Sequence, residues 1–213
     1  SSDLSNGTRP DITFAVNSVS KYLKSPKIKH WNMVKRIFRY LVGTMDYGIL
    51  YRAADTPASL TIYSDADYAG DIDSRKSTSG YVSIYSGGAI TWASQRQQSV
   101  SLSTTEAEFV AASQATKEAI WLNRLFDDIA REHEKPSLLM DNQSAIRLIH
   151  NQEFHKRSKH IEVRYFFVRD MVKRGDLKVK YVASDHQLAD IFTKPLSKNK
   201  LWYFRDELGM CVV

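Results

Sequence analysis

The stretch LTIYSDADYAGDIDSRKSTSGY, residues 60–81, limits both how this chain folds and what it can bind. It begins with alternating apolar residues, the pattern of a half-buried strand. It then gathers four aspartates, Asp65, Asp67, Asp71 and Asp73, before it turns basic. Clustered carboxylates repel one another unless water or a cation neutralises them. The stretch therefore predicts either a solvated turn or half of a metal site.

A calcium loop of the EF-hand type is the nearest competing explanation for these aspartates. Counted from Asp65, the first and third ligand positions and the required glycine at Gly70 fit that motif. The fifth position is Ala69, however, and the twelfth, which should be a bidentate glutamate, is Lys76. The EF-hand loop is excluded, so other parts of the chain would have to complete a metal site.

Two more aspartates occur where a site could be completed. Asp141 follows the apolar run SLLM, just as Asp65 ends its own strand, and Asp190 lies near the start of the late helical piece LADIF. Sites in mixed sheets gather at the carboxyl ends of strands, so two strand-end aspartates can be neighbours. Each acid alone is more typical of a turn or a helix N-terminus. Together they predict a carboxylate cage.

The stretch STTEAEFVAASQA, residues 103–115, offers two glutamates for this cage. Ser103 and Glu106 have capping-box spacing, which gives Glu106 a structural role at a helix start. Glu108 lies in line with an alanine stripe suited to packing on a sheet, and is favoured for the cage. Thr105 and Glu108 also have capping spacing, so the choice stays open. Cages of oxygen ligands alone select Mg²⁺ or Mn²⁺.

Composition narrows the class of protein. The 213 residues carry a net charge of +6, which indicates an anionic partner, with nucleic acid as the first candidate. A single cysteine excludes an internal disulfide and a cysteine-based zinc cage. Because no apolar run is long enough for a membrane span and the start lacks a signal-peptide pattern, we expect an intracellular protein without a membrane partner.

Periodicity predicts an α/β chain that begins with a helical hairpin. The first helix of the hairpin starts after Pro10. The second runs through HWNMVKRIFRYLV and ends at Gly43. Strands are predicted in YGILYR, SLTIYSD, GYVSIYS, AITWAS, SVSL, SLLMD and LKVKYV, and helices at 104–130, in SAIRLIH, at 158–174, and around LADIF and LWYFRDEL. This order predicts a mixed sheet flanked by helices, with a domain boundary near residues 55–57.

Several long motifs carry a resemblance to one family. YSDADYAGD, RKSTSGY, LSTTEAE, DNQSA, KHIEVRYFFVR and LADIFTK resemble the ribonuclease H domain of copia-type LTR retrotransposon polyproteins. RPDITFAVNSVSKYL and HWNMVKRIFRYLVGT resemble the last helical part of the preceding reverse transcriptase. The resemblance covers nearly the whole chain. It implies a connection-like polymerase tail at residues 1–56 and a ribonuclease H domain at residues 57–213.

The resemblance implies a ribonuclease H-like fold, a five-stranded mixed sheet flanked by helices, with four catalytic and metal-binding acids. Matched position by position, these are Asp65, Glu108, Asp141 and Asp190. It also implies two Mg²⁺ or Mn²⁺ ions about 4 Å apart, with Asp65 bridging both, Asp190 on the nucleophile side, and Glu108 and Asp141 on the leaving-group side. The implied reaction is hydrolysis of the RNA strand of an RNA–DNA hybrid during reverse transcription, leaving 5′-phosphate and 3′-hydroxyl ends.

Residues beside the acids predict how a hybrid would be bound. Short polar side chains can read 2′-hydroxyl groups, and the candidates are Ser103, Thr104, Asn142 and Gln143. Basic side chains can contact phosphates, and the candidates are Arg75, Lys76, Arg96, Lys156, Arg157 and Lys159. The resemblance adds the polymerase domain of the same polyprotein as a partner and a cytoplasmic virus-like particle as the setting. It leaves a nuclear location open.

The chain departs from the related enzymes at its histidines. Cellular and retroviral ribonucleases H carry a histidine shortly before the final aspartate, where this chain has Lys180. His186 is the nearest histidine in sequence, and that role stays unassigned. Phe166 stands where copia-type sequences usually have histidine. His155 and His160 lack a third zinc ligand, so a surface or hybrid-facing role is favoured for them.

Two alternative functions compete with ribonuclease H. Integrases share the fold but usually end their acid set with a glutamate at a shorter spacing than the 49 positions between Asp141 and Asp190. A non-catalytic hybrid-binding or connection module would have no reason to keep a costly cluster of like charges. The sequence therefore favours the nuclease.

Overall fold

The computed structural model describes residues 5, 7–53, 59–129, 134–150 and 159–213, without the side chains of residues 159–162. These residues form six α-helices and seven strands. The helices are α1 (Thr13–Ser20), α2 (Ile28–Val42), α3 (Thr104–Ile129), α4 (Gln143–His150), α5 (Lys159–Lys173) and α6 (Lys198–Glu207). The strands are β1 (Tyr47–Ile49), β2 (Ser59–Asp67), β3 (Thr78–Tyr85), β4 (Gly88–Arg96), β5 (Glu134–Met140), β6 (Lys178–Tyr181) and β7 (Met210–Val212).

Five of these strands form a mixed sheet in the order β4-β3-β2-β5-β6. β2, β3 and β4 follow one another along the chain and pair antiparallel. β5 pairs parallel with β2 and β6 pairs parallel with β5, which requires crossover connections that the helices supply. The predicted α/β architecture, a five-stranded mixed sheet with flanking helices, is confirmed.

One face of the sheet is covered by α3. The alanine stripe predicted from the sequence is buried, and Ala112, Ala115 and Ala119 are fully inaccessible. They pack in one cluster with Ile62 of β2 and Leu138 of β5. Small side chains let a helix approach a sheet closely, so the start of α3 lies against β2.

The other face carries a second cluster and a small sheet. Alternate strand residues point to opposite faces, and Tyr63, next to Ile62, packs in this second cluster with Phe192 and Phe204. β1 pairs antiparallel with β7. The sequence analysis predicted β1 but missed β7. A Cβ atom at Gly209 would lie 2.5 Å from the Gly87 carbonyl oxygen. The turn into β7 therefore needs a glycine at this position.

The predicted N-terminal helical hairpin is present. Arg9 donates to both carboxylate oxygens of Asp11 at 3.0 and 2.8 Å, and the Tyr40 hydroxyl donates to the same carboxylate at 2.6 Å. These contacts join the start of the hairpin to α2. The apolar face predicted for α2 is largely uncovered, since Trp31 is 59% exposed and Phe38 56% exposed.

Other sequence predictions fare differently. The strand predicted in SVSL is wrong, because side chains bind the local backbone and each other there: Leu102 N donates to Glu106, and Ser101 Oγ donates to Gln97. LADIF is a 3₁₀ turn, Leu188–Phe192. The boundary predicted near residues 55–57 lies outside the described residues. Among the described helices, none is long and apolar enough to cross a membrane.

Candidate active site

Three carboxylates meet at one edge of the central sheet. β2 and β5 are parallel neighbours, so their carboxyl ends lie side by side and bring Asp65 next to Asp141. Glu108 reaches them from the second turn of α3. Carboxylate oxygens of the three residues lie within 4.8 Å of one another. This is the only such group of possible metal ligands among the described residues.

Glu108, and not Glu106, faces the aspartates. Glu106 is used at the helix start, because its carboxylate accepts from Leu102 N at 2.8 Å and its own N–H donates to Ser103 Oγ at 3.2 Å. Glu108 is 6% exposed, and its Oε2 atom has no hydrogen-bond partner among the described residues. Burial, followed by the charges of Asp65 and Asp141, raises the pKa of Glu108 well above its ordinary value.

Asp65 is equally enclosed. It is 3% exposed, and the Thr193 hydroxyl donates to its Oδ2 atom. Burial raises the pKa of Asp65 to about 6, although Lys194 and Thr193 act in the opposite direction. Asp141 is less buried and accepts from Ser184 Oγ at 2.8 Å. The site thus holds one carboxylate near solvent and two that are costly to ionise without a cation.

Asp190, the fourth predicted acid, lies beside this group and is held by lysines. It sits on the 3₁₀ turn and is 1% exposed. Lys194 Nζ lies 2.7 Å from its Oδ1 atom, and Lys200 Nζ lies 2.8 Å from its Oδ2 atom. Lys194 Nζ is also 3.9 Å from Asp65 Oδ2. An ammonium group therefore connects Asp190 to the other acids.

Gln187 attaches the Asp190 turn to β2. It is completely buried, donates from Nε2 to the Ser64 carbonyl at 3.0 Å, and accepts from Ala189 N at 3.3 Å. Sequence analysis missed this residue along with Thr193, Lys194 and Lys200. A spacing of three and four residues from Asp190 could have flagged Thr193 and Lys194 as neighbours of the acid on a helical turn.

The polar residues proposed to read 2′-hydroxyl groups divide into two kinds. Ser103 Oγ and Asn142 Oδ1 accept from backbone N–H groups at the starts of α3 and α4, so both have capping roles. Thr104 and Gln143 are exposed at the same two helix starts. Thr104 and Gln143 are therefore the accessible members of the set.

The predicted phosphate contacts are only partly described. Arg75 is exposed and Lys76 half-buried, whereas Arg96 pairs with Asp71 at 3.1 Å. Lys156 and Arg157, and the side chain of Lys159, lie outside the described residues. Burial alone would raise the pKa of Asp71, but Arg96, Lys21 and Ser74 lower it to about 2. Asp71 also accepts from Asp73 N and Ser74 N, so it shapes its turn as an ionised group.

None of the histidine side chains that the structure describes joins the acid cluster. His186 Nδ1 lies 2.8 Å from the Tyr203 hydroxyl oxygen in an exposed pair. Lys180 is exposed on β6, and Phe166 is 51% exposed on α5. His155 and the side chain of His160 lie outside the described residues. The predicted surface roles of these two histidines therefore stay predictions.

Comparison with known proteins places the chain in a family. No protein-family model matches it. It is 44% identical over 203 residues to a retrovirus-related Pol polyprotein from transposon TNT 1-94 of Nicotiana tabacum, and 41% identical over 207 residues to one from transposon RE2 of Arabidopsis thaliana. The chain belongs to the retrovirus-related Pol polyproteins of copia-type transposons.

The Pol match includes both regions of the chain but only a small part of the relatives. It covers 95% and 97% of this chain, and 15% and 14% of those two polyproteins. The hairpin and the sheet region are therefore matched together in the Pol relatives. Among solved structures, the N-terminal RNase H domain of rv2228c from Mycobacterium tuberculosis, fused to maltose binding protein, has a TM-score of 0.48 at 11% identity, covering 70% of this chain and 97% of that one.

Proposed function

We propose that this Pol segment is a ribonuclease H, a divalent-metal-dependent endonuclease that hydrolyses the RNA strand of RNA–DNA hybrids during reverse transcription. The observation that carries the proposal is the convergence of Asp65, Glu108 and Asp141 within 4.8 Å at the carboxyl edge of the sheet. Membership in the Pol family and the adjacent Asp190 support it.

The acid cluster fits a hard cation. The partnerless Oε2 atom of Glu108 is buried beside two other carboxylates, and a buried charge left without a partner is strongly unfavourable. A divalent cation with oxygen ligands would remove this cost. Asp65, Glu108 and Asp141 would hold one Mg²⁺ or Mn²⁺ ion, and Asp65 with Asp190 a second. When bound, such ions supply Lewis acidity toward a phosphodiester and lower the pKa of water.

The protein's own groups prepare the site for that chemistry. The Thr193 hydroxyl orients the Asp65 carboxylate by hydrogen bonding, and Gln187 fixes the turn that carries Asp190. Burial of Asp65, Glu108 and Asp190 excludes water from their inner sides. Thr104 and Gln143 are exposed at the rim, where they can reach a sugar hydroxyl. Among the described basic candidates, Arg75 is exposed and Lys76 half-buried, and both would contact phosphates.

The polymerase region of the same polyprotein is the proposed protein partner. Exposed apolar side chains lie along α2, where Ile28 is 82%, Trp31 59% and Phe38 56% exposed. Because the chain spans only about 15% of its first relative, a large remainder of the polyprotein is available to cover them. We further propose a cytoplasmic setting, in a virus-like particle, with a nuclear phase as the alternative.

A cleavage assay tests the nuclease proposal. A labelled RNA–DNA hybrid, duplex RNA and duplex DNA are incubated with Mg²⁺ or Mn²⁺ and either the wild-type segment or the full polyprotein. We expect cutting of the hybrid's RNA strand alone, reduced on the order of a thousandfold in Asp141→Asn. Asp73→Asn, the same change at an exposed turn acid, is the matched control and should cut normally. Hybrid binding without cutting in either protein would instead support a binding module.

A further inference from the structure

Asp190 differs from Glu108 and Asp141 because lysine ammonium groups of the protein form ion pairs with it. Each of its carboxylate oxygens lies within 2.8 Å of a lysine ammonium group, Lys194 on one side and Lys200 on the other. Asp65, Glu108 and Asp141 form a group in which Glu108 Oε2 has no partner among the described residues. Asp190 Oδ1 also lacks a well-aligned hydrogen bond, but it lies 2.7 Å from the Lys194 ammonium group and is neutralised by that charge. The site therefore consists of a carboxylate group available to a cation, Asp65, Glu108 and Asp141, and of Asp190, whose charge lysines already neutralise.

Lys194 lies between the two parts. Its Nζ atom is 2.7 Å from Asp190 and 3.9 Å from Asp65, so a positive charge stands where Asp65 and Asp190 would share an ion. Lys200 approaches from α6 and also contacts the Ser184 carbonyl at 3.4 Å. An ammonium group and a divalent cation repel each other strongly at such distances. They exclude one another from the same carboxylate oxygens.

Both lysine side chains reach solvent beside Asp190. The side chain of Lys194 is 40% exposed and that of Lys200 is 30% exposed, whereas the Asp190 side chain is 1% exposed. Each ammonium group sits on a flexible four-carbon stem that reaches solvent. Phosphates of a bound nucleic acid would compete for these cations, since neutralising phosphates drives protein association with nucleic acids.

We propose that Lys194 and Lys200 are positioning residues that close the Asp190 side of the site in the free protein. A divalent ion then binds first at Asp65, Glu108 and Asp141, and Asp190 accepts a second only after nucleic-acid phosphates have drawn the lysines away. The inference rests on the proposed function, because it assumes the carboxylate cage. It adds two lysines of this chain that would couple nucleic-acid binding to the occupation of the Asp190 side.

Counting Mn²⁺ ions bound to the nucleic-acid-free protein tests this inference without using activity. Electron paramagnetic resonance of free Mn²⁺ and calorimetry give the number and affinity of sites. We expect one site in the wild type. Lys194→Met and Lys200→Met should each gain a second site or bind that ion about tenfold or more tightly, since a repelling charge within about 4 Å is removed.

Two further variants serve as controls. Lys200→Arg keeps the positive charge and should retain the wild-type pattern. Lys198→Met removes a lysine from the same helix, one that lies 4.4 Å from the Trp202 ring, and should also bind like the wild type. If Lys194→Met fails to fold, as judged by circular dichroism, Lys200→Met decides the question alone.

Each outcome has a distinct meaning. Two equally tight sites in the wild type, or folded lysine variants that bind Mn²⁺ like the wild type, would overturn the inference while leaving the cage intact. Mn²⁺ binding that is absent, or that Asp65→Asn does not weaken, would overturn the cage itself and with it the proposed function. A second Mn²⁺ site that appears only in Lys194→Met and Lys200→Met supports the proposal that these two lysines close the Asp190 side.

Discussion

Gly80 lies directly opposite Asp65 in the antiparallel pair of β2 and β3. A Cβ atom at Gly80 would lie 2.7 Å from Thr193 Cγ2, 2.8 Å from Phe192 Cβ and 3.1 Å from the Ala189 carbonyl oxygen. The missing side chain lets the turn that carries Asp190 pack directly on β3. The separation between Asp65 and Asp190 therefore depends on a glycine that has no side chain of its own at the site.

We predict that Gly80→Ala damages both stability and metal response. The added methyl group pushes against Thr193 and Phe192, and overpacking of this kind costs about 1–3 kcal/mol. Urea unfolding with and without Mg²⁺ measures both effects. Gly43→Ala is the matched control, because a Cβ there meets its nearest atom at 3.6 Å, an ordinary contact. Equal stabilities of the two variants would contradict the packing role of Gly80.

The raised pKa of Asp65 predicts how stability depends on pH. Burial raises this pKa from 3.8 to about 6 in the folded protein. The folded state thus holds the proton more tightly than the unfolded chain, so the contribution of Asp65 is fully present below about pH 4 and is lost as pH rises through about 6. Without divalent ions, the loss is at most about 3 kcal/mol, at about 1.4 kcal/mol per unit.

Comparison with Asp65→Asn isolates this contribution from the other titrating groups. The difference in unfolding free energy between the wild type and the variant, measured in chelator from about pH 4 to pH 7, should move against the wild type as pH rises. Saturating Mg²⁺ should stabilise the wild type at neutral pH and the variant much less. A difference that stays constant with pH would show that Asp65 ionises normally.

The sequence predicts the central sheet and three of its acids for a clear reason. Asp65 and Asp141 each end an apolar run, and an alanine stripe aligns Glu108 with the sheet, so local patterns carry the information. The prediction around Asp190 was less accurate, since the helical piece expected there is a 3₁₀ turn. The shape of this turn depends on contacts with Gly80 and Gln187 and not on helical periodicity.

Contacts between distant segments could not be predicted from the sequence. Gln187 binds the backbone of Ser64, and β7 pairs with β1, so both depend on the finished fold. Lys200 looks like any surface lysine until α6 brings it to Asp190. The uncovered face of α2 was also not foreseen, since an amphipathic pattern indicates which residues are apolar and not what covers them.

Gln187 should be essential to the shape of the site although it is remote from solvent. Gln187→Ala would remove the donor to the Ser64 carbonyl and the acceptor for Ala189 N, and each buried group left unsatisfied costs about 1–3 kcal/mol. Thermal unfolding measures the loss. Gln98→Ala, at an exposed loop position, is the control and should change stability little. An equally mild effect at Gln187 would refute its positioning role.

The contacts of β1 and the two residues after it predict where the ribonuclease H region begins. Leu50 N donates to the Gly209 carbonyl at 2.9 Å, the Tyr51 hydroxyl donates to the Ala89 carbonyl at 2.8 Å, and Arg205 donates to the Tyr47 hydroxyl at 3.1 Å. These residues precede the boundary near residues 55–57 that the sequence predicts. A fragment that starts at residue 57 would lose them and leave β7 without a partner strand.

We therefore expect a fragment of residues 46–213 to unfold at higher urea concentration than a fragment of residues 57–213. The shorter fragment loses these hydrogen bonds and the packing of Tyr47 and Ile49 on the second cluster. We expect its free energy of unfolding to be lower by about 3 kcal/mol or more. Both fragments keep all four acids, so stabilisation by Mg²⁺ should persist wherever the fragment folds. If the two fragments are equally stable, β1 belongs to the polymerase tail and the boundary predicted from the sequence holds. If only the longer one folds, the ribonuclease H region includes β1.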